Sequence, residues 1–185
     1  MTLNEQLDRW YRKSQQVSPV RIIRLKRAEL VKGFGEWGLL KGAEIGVARG
    51  TFTRHLFDHV PRLHMIGVDP WERMGGEEEP IADHKLRGRN WVKMKERSLN
   101  AHFLIDDASL DFVYIDGAHD FDSVMLDLIL WSRKVRPGGL VAGHDYYRFR
   151  GAGVVPAVDC YTREHNIHEW FMTDERLPTF FWVKP

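Results

Sequence analysis

Acidic and imidazole side chains in this sequence stand repeatedly at the ends of short apolar runs. Asp69 closes Leu63 to Asp69 (LHMIGVD), and Asp116 closes Leu110 to Asp116 (LDFVYID), with His119 three residues on. His144 and Asp145 close Leu140 to Gly143. Glu44 opens the turn Glu44-Ile45-Gly46-Val47-Ala48-Arg49-Gly50. Burying a strand accounts for each apolar run but not for its polar ending. Imidazole titrates near neutral pH and suits a general base. An aspartate at a strand tip can accept hydrogen bonds from both hydroxyls of a ribose. Asp116, His144 and Asp145 together form a donor set for a divalent metal that would lower the pKa of a bound hydroxyl. A mixed carboxylate and imidazole set suits Mn²⁺ or Zn²⁺ better than Mg²⁺.

These groups converge only if the runs lie side by side, which sets the demand on the fold. Lys41 to Leu56 (KGAEIGVARGTFTRHL) reads as strand, glycine-bearing turn and helix start near Thr51. A glycine there permits positive φ and close approach of a ligand, and the free N–H groups of a helix start favour an anion. Val20 to Trp37 carries apolar residues at helical spacing, and its Arg21, Arg24, Lys26, Arg27 and Lys32 read as a solvated basic face. Residues 71–90 read as a long polar loop holding the acidic run Glu77 to Glu79, and Trp91 to Arg97 as a strand. In Phe121 to Lys134, Phe121, Val124, Met125, Leu128 and Ile129 follow the helical period, and Pro137-Gly138-Gly139 is the stop. Val154 to His165 is a further helix. Ile167 to Met172 and Thr179 to Val183 are two last strands, joined by a connection too short for a helical crossover, so they should pair antiparallel.

The expectation is an α/β fold, Rossmann-like and doubly wound, with a mainly parallel seven-stranded sheet closed by a C-terminal antiparallel strand pair. Residues 1–20 are expected to form an N-terminal helical arm, with Leu3, Leu7 and Trp10 on one side, as a lid or oligomer contact; residues 21–185 form the domain.

Composition adds exclusions. At 185 residues, 43% hydrophobic and 29% charged, the chain is an ordinary globular size and mix. A formal net charge of +1 gives no whole-molecule case for nucleic acid or a membrane surface. The basic cluster Lys85, Arg87, Arg89, Lys93, Lys95, Arg97 has only Trp91 within it and reads as solvated surface. The single cysteine, Cys160, rules out an internal disulfide and fits a reducing compartment. MTLNEQLDRW lacks a signal pattern, and no apolar run is long enough to span a bilayer, so a cytoplasmic protein is expected.

Four blocks carry a resemblance. Glu44 to Gly50 resembles motif I of the class I S-adenosylmethionine methyltransferases, with Ala48 in place of the central glycine. Val68-Asp69 resembles their ribose-binding acid. Leu110 to His119 (LDFVYIDGAH) and Val135 to Tyr146 (VRPGG…GHDY) resemble the later blocks of the methyltransferase-24 branch. The resemblance covers residues 28–185. It implies S-adenosylmethionine as cofactor, with Glu44, Gly46, Gly50, Asp69, Ser98 and Asp116 as its contacts. It implies His119, His144 and Asp145 as catalytic groups, or Asp116, His144 and Asp145 as ligands of a divalent metal. Two departures stand out: Arg97 replaces the acid that often precedes Ser98, and His144 stands where some relatives carry a carboxylate. The acceptor implied is a small hydroxylated molecule, a sugar or natural-product scaffold, methylated on oxygen. Two rivals are a binding protein of the same fold without transfer activity and a nucleotide-dependent oxidoreductase. The absence of Gly-x-Gly-x-x-Gly weighs against the second.

Overall fold

A computed structural model describes residues 2–13, 17–149 and 151–185. Its centre is one sheet of eight strands: β1 (Val20–Ile22), β2 (Lys41–Ile45), β3 (His64–Val68), β4 (Trp91–Met94), β5 (Leu110–Ile115), β6 (Val135–Gly143), β7 (Phe171–Thr173) and β8 (Phe180–Val183). The spatial order is β1-β7-β8-β6-β5-β2-β3-β4. β8 runs antiparallel to both neighbours, and every other pairing is parallel.

Helices cover both faces. On one lie α1 (Leu3–Arg12), α2 (Arg27–Glu36) and α3 (Thr51–His59), whose Leu7, Leu30, Phe34 and Leu56 pack with Met65, Phe112 and Phe181 of the sheet. On the other lie the short α5 (Ser98–Ala101), α6 (Phe121–Ser132) and α7 (Val154–Glu164), where Leu128, Trp131 and Val158 pack with Val113, Val141 and Trp182. The alternation along each strand divides its side chains between two apolar layers, which is why the strands read as nearly continuous apolar runs. Between β3 and β4 lie a 3-10 turn (Arg73–Gly76) and α4 (Glu78–Leu86), which seats Ala82 beside Val47 and Trp71.

The sheet has one strand more than expected. The start of the Val20 to Trp37 stretch is β1, not helix: Ser18 ties to His168 and Trp170, and Val20 N–H donates to Trp170 O at 2.9 Å. That anchor sets β-branched Val20 and Ile22 against β7, and Arg24, at φ 67°, turns the chain before α2 begins. The border expected between residues 20 and 21 therefore falls inside a strand. α1 lays Leu3 and Leu7 into the core, and Trp10 meets Phe171 and Phe181 edge-on, both at 6.3 Å.

The expected loop over 71–90 contains α4. Its acidic start and its His84 and Lys85 end suit the helix dipole, and Pro80 lies in the first turn, where its missing N–H is no loss. Pro137-Gly138-Gly139 lies within β6 and does not end α6, which stops at Ser132. A Cβ on Gly139 would lie 2.4 Å from Asp111 O, so the glycine serves a close approach of β5 and β6. The strands expected over 91–97 and 167–172 occupy Trp91–Met94 and Phe171–Thr173. The antiparallel strand pair is present, with Phe171 opposite Phe181 and Met172 opposite Phe180. Among the described residues, no helix is long and apolar enough to cross a membrane.

Candidate active site

The carboxyl ends of β2, β3, β5 and β6 lie together at one edge of the sheet, and the polar groups that follow them meet there. A cleft of about 550 Å³ opens at this edge, bordered by Gly46, Asp69, Trp71, Ser98, Asp116 and His119. A second chamber of about 600 Å³ shares Gly46, Asp116, Gly117 and His119 with it and reaches Glu44, Phe52 and Arg27.

The turn after β2 is held by unusual backbone. Gly46 sits at φ 90°, where a Cβ would lie 2.1 Å from Asp116 O, so only glycine lets β2 and β5 approach. Ala48 is also left-handed, at φ 48°. Asp69 compensates this strain: one carboxylate oxygen accepts Ala48 N–H at 2.8 Å and the other accepts Trp71 N–H at 2.7 Å. The Trp71 indole in turn donates to Ala48 O at 2.8 Å. Asp69 thus clasps two turns, and its carboxylate borders the cleft. Gly50 borders neither cavity. Its φ of 65° serves the cap of α3, and a Cβ there would face Leu86 and Ala82.

Glu44 is buried under the turn. Thr53, one turn into α3, donates its hydroxyl to it. Burial pushes the carboxyl up to about 8, against the pull of Thr53, so the group is largely neutral at pH 7. Folded Glu44 holds its proton over a range where the unfolded residue has lost it. The stability linked to it is complete below about pH 4.5 and is lost as pH rises through about 8. At ~1.4 kcal/mol per pH unit the total is ~4–5 kcal/mol. Glu44→Gln should remove this slope: urea titrations from pH 5 to 9 should show the wild type losing several kcal/mol more than the variant. Equal slopes would mean that Glu44 is already ionised in the folded protein.

At the ends of β5 and β6, four groups form a cluster. His144 Nδ1 lies 3.0 Å from Asp145 Oδ1 and 3.8 Å from Asp116 Oδ1. His119 Nε2 lies 3.4 Å from Asp145 Oδ2 and 3.7 Å from Asp116 Oδ1. Donor atoms of Asp116, His144 and Asp145 fall within 4.8 Å of one another. Asp145 Oδ1 is buried without a hydrogen bond of good geometry, and Asp145 holds a left-handed φ of 58°. The His144 ring holds the Asp145 carboxyl below its ordinary range. The two histidines differ in access: the His119 side chain is 38% exposed and borders both cavities, whereas His144 is 10% exposed and borders neither. Gly153 N–H donates to His119 O at 2.7 Å, which ties the two loops together.

The cleft is also bordered by Ser98, Leu99, Leu126 and Asp127. Burial pushes Asp127 up to about 6, against the pull of the Ser98 hydroxyl. Arg97, where an acid was the pattern, pairs with Glu72 at 2.6 Å across the rim. Of the aromatic residues Trp71, Tyr146, Tyr147 and Phe149, Trp71 borders the cleft. Tyr146 turns away, its hydroxyl on Asp159 at 2.5 Å and its ring against Trp170. Tyr147 stacks on Phe149. Sequence reasoning missed Arg27 and Asp127. Arg27 stood among basic residues that read as a solvated face, and Asp127 fell inside a helical run with no motif around it.

An open parallel sheet with a clasped glycine turn after one strand and acids after its neighbours, closed by an antiparallel strand, is a Rossmann-like methyltransferase architecture. Residues 43–146 match the methyltransferase-24 family, described as a methyltransferase domain, and the chain belongs to that family. An uncharacterised protein of Acanthamoeba polyphaga mimivirus is 30% identical over 125 residues, 63% of this chain and 56% of that protein, so the match spans little more than half of the relative's length. Solved structures similar in fold include the following three. One, from Staphylococcus aureus, is provisionally assigned as a caffeoyl-CoA O-methyltransferase (16% identity, 100% of this chain and 93% of that one, TM-score 0.65). A second is a provisionally assigned methyltransferase of Streptococcus mutans in complex with S-adenosylhomocysteine (13%, 87% and 99%, TM-score 0.65). The third is an O-methyltransferase family protein of Burkholderia thailandensis (13%, 85% and 55%, TM-score 0.60).

Proposed function

We propose that the protein transfers a methyl group from S-adenosylmethionine to a hydroxyl of a small acceptor, a sugar or a natural-product scaffold. The observation that carries this reading is the Asp69 clasp beside a cleft of nucleoside size that Asp116 and His119 also border, with Asp145 3.4 Å from the His119 ring. Asp69 retains lone pairs for the two ribose hydroxyls. Ser98, Leu99 and Leu126 wall the adenine. Gly46 gives the sulfonium and its methyl a backbone without a side chain. Glu44, a buried carboxyl that a nearby ammonium would ionise, and Asp116 face the amino group of the methionine part.

The sulfonium is already a strong electrophile, so the protein's task is alignment, exclusion of water and removal of the hydroxyl proton. His119 has the access for that removal, with Asp145 and Asp116 beside its Nε2 to stabilise the imidazolium that forms. His144, walled off, orients Asp145. The buried Asp145 Oδ1, which has the His144 ring 3.0 Å away but no hydrogen bond of good geometry, and the close donor atoms also fit a divalent metal. Asp116, His144 and Asp145 would hold it, and it would lower the pKa of the acceptor hydroxyl. A small acceptor suits the surface as well: Arg89, Lys93, Lys95 and Arg97 of the basic cluster are paired with Asp58, Glu79, Asp83 and Glu72, leaving little charge for a phosphate backbone.

Methyl-labelled S-adenosylmethionine, incubated with a panel of hydroxylated sugars and phenols, should yield labelled O-methyl products. His119→Ala should lower the rate by ~100-fold or more with cofactor affinity retained, as loss of a general base does. Cofactor binding without transfer to any acceptor would favour a binding protein of the same fold. Wild-type turnover in His119→Ala would remove His119 from the chemistry.

A further inference from the structure

The second chamber contains a cation that the family match does not cover. Arg27 is the first residue of α2, outside residues 43–146, and its backbone N–H is fixed by Glu175 Oε1 at 2.9 Å. Its side chain enters the chamber wall with the guanidinium 5.3 Å above the Phe52 ring, the Tyr114 hydroxyl beside it. Among the described residues no carboxylate oxygen lies within 4.0 Å of it. Arg49, the other arginine of this chamber, is paired with Glu78 at 3.2 Å. A half-buried arginine stacked on an aromatic ring but without a carboxylate is a preformed, planar donor set, and such a fork suits a carboxylate. The same chamber presents Glu44 and Asp116, which suit an ammonium. An acid pair and a cation facing one space of this size complement an α-amino acid zwitterion.

We propose that Arg27 binds the carboxylate of the amino-acid tail of S-adenosylmethionine. This rests on the cofactor reading above. With the ribose on Asp69 and the sulfur over Gly46, the tail has one continuous space to enter: the two cavities join at Gly46, Asp116, Gly117 and His119. Burial opposes the charge of Arg27, but Tyr114, Asp116 and Glu175 outweigh it and keep the guanidinium firmly protonated, so the donor is present at any working pH. The residue thereby also selects the whole cofactor over its nucleoside fragments.

The test compares two ligands by calorimetry. S-adenosylhomocysteine carries the amino-acid tail, and 5′-methylthioadenosine has the same thioether nucleoside without it. Arg27→Met should weaken S-adenosylhomocysteine by ~10–100-fold and leave 5′-methylthioadenosine within ~2-fold, which also shows that the cleft is intact. Arg27→Lys should recover part of the lost affinity. If Arg27→Met and Arg27→Lys bind S-adenosylhomocysteine as the wild type does, the proposal is overturned, including the case where only affinity for an acidic acceptor falls. If both ligands weaken equally, Arg27 supports the fold and the proposal is equally overturned. A wild type that binds neither ligand overturns the cofactor reading itself, a result distinct from either of these.

Discussion

Gly46→Ala should lose ~2–5 kcal/mol of folding stability and at least ~100-fold of cofactor affinity. The new Cβ would stand 2.1 Å from Asp116 O and 2.5 Å from Asp116 C. Both are backbone atoms, and neither strand can yield: Asp116 N–H donates to Ile45 O at 2.8 Å and Gly46 N–H to Val68 O at 2.9 Å. A positive φ for alanine adds ~1–2 kcal/mol, and forcing a methyl into packed backbone adds ~1–3 kcal/mol. The shift that relieves the clash must move β5 away from β2, and Asp116 and His119 go with it. A urea unfolding midpoint and a binding isotherm read both effects. A variant within ~1 kcal/mol of wild type with full affinity would mean that the turn is looser than the geometry states.

Asp69→Ala should damage binding as much as Gly46→Ala does. Its carboxylate makes two charge-assisted bonds, to Ala48 and Trp71, each worth ~1.5–3 kcal/mol, and the proposed ribose bonds come from the same oxygens. Without it, Ala48 and Trp71 keep their left-handed backbone with no partner to hold it. The expected result is a stability loss of ~3–6 kcal/mol and a fall in affinity of ~100-fold or more. Asp69→Asn separates the two roles. The amide oxygen can still accept one backbone N–H, so stability should fall less, while its NH₂ faces a donor and affinity should still fall ~30-fold or more. If Asp69→Asn binds as wild type does, the ribose lies elsewhere.

The legible part of this protein was the part where one segment carries its own reason. Apolar runs with acids at their ends, such as LHMIGVD and LDFVYID, state both a buried strand and a polar tip. The antiparallel β7 and β8 followed from a connection too short to cross over. Features set by partners distant in sequence were not legible. β1 depends on Ser18 meeting Trp170, 152 residues away. α4 hid in a charged stretch because Pro80 and its acids look like a loop until a first turn is assigned to them. Pro137-Gly138-Gly139 was expected to end α6, but Gly139 serves the approach of β6 to Asp111. At the site, spacing put Gly46 and Gly50 on the same footing, yet one meets Asp116 and the other Leu86. The motif also gave His119 and His144 equal claims, and only burial separates them. Arg27 had no local signal, since its role depends on Phe52 and Tyr114 in other elements.

The direct measurement of the central claim is an isothermal titration of the purified wild-type protein with S-adenosylhomocysteine. Binding in the micromolar range, weakened by Asp69→Asn, is the result expected if the strand tips grip a thioether nucleoside. No heat and no thermal stabilisation at millimolar ligand, with the protein folded, would contradict it.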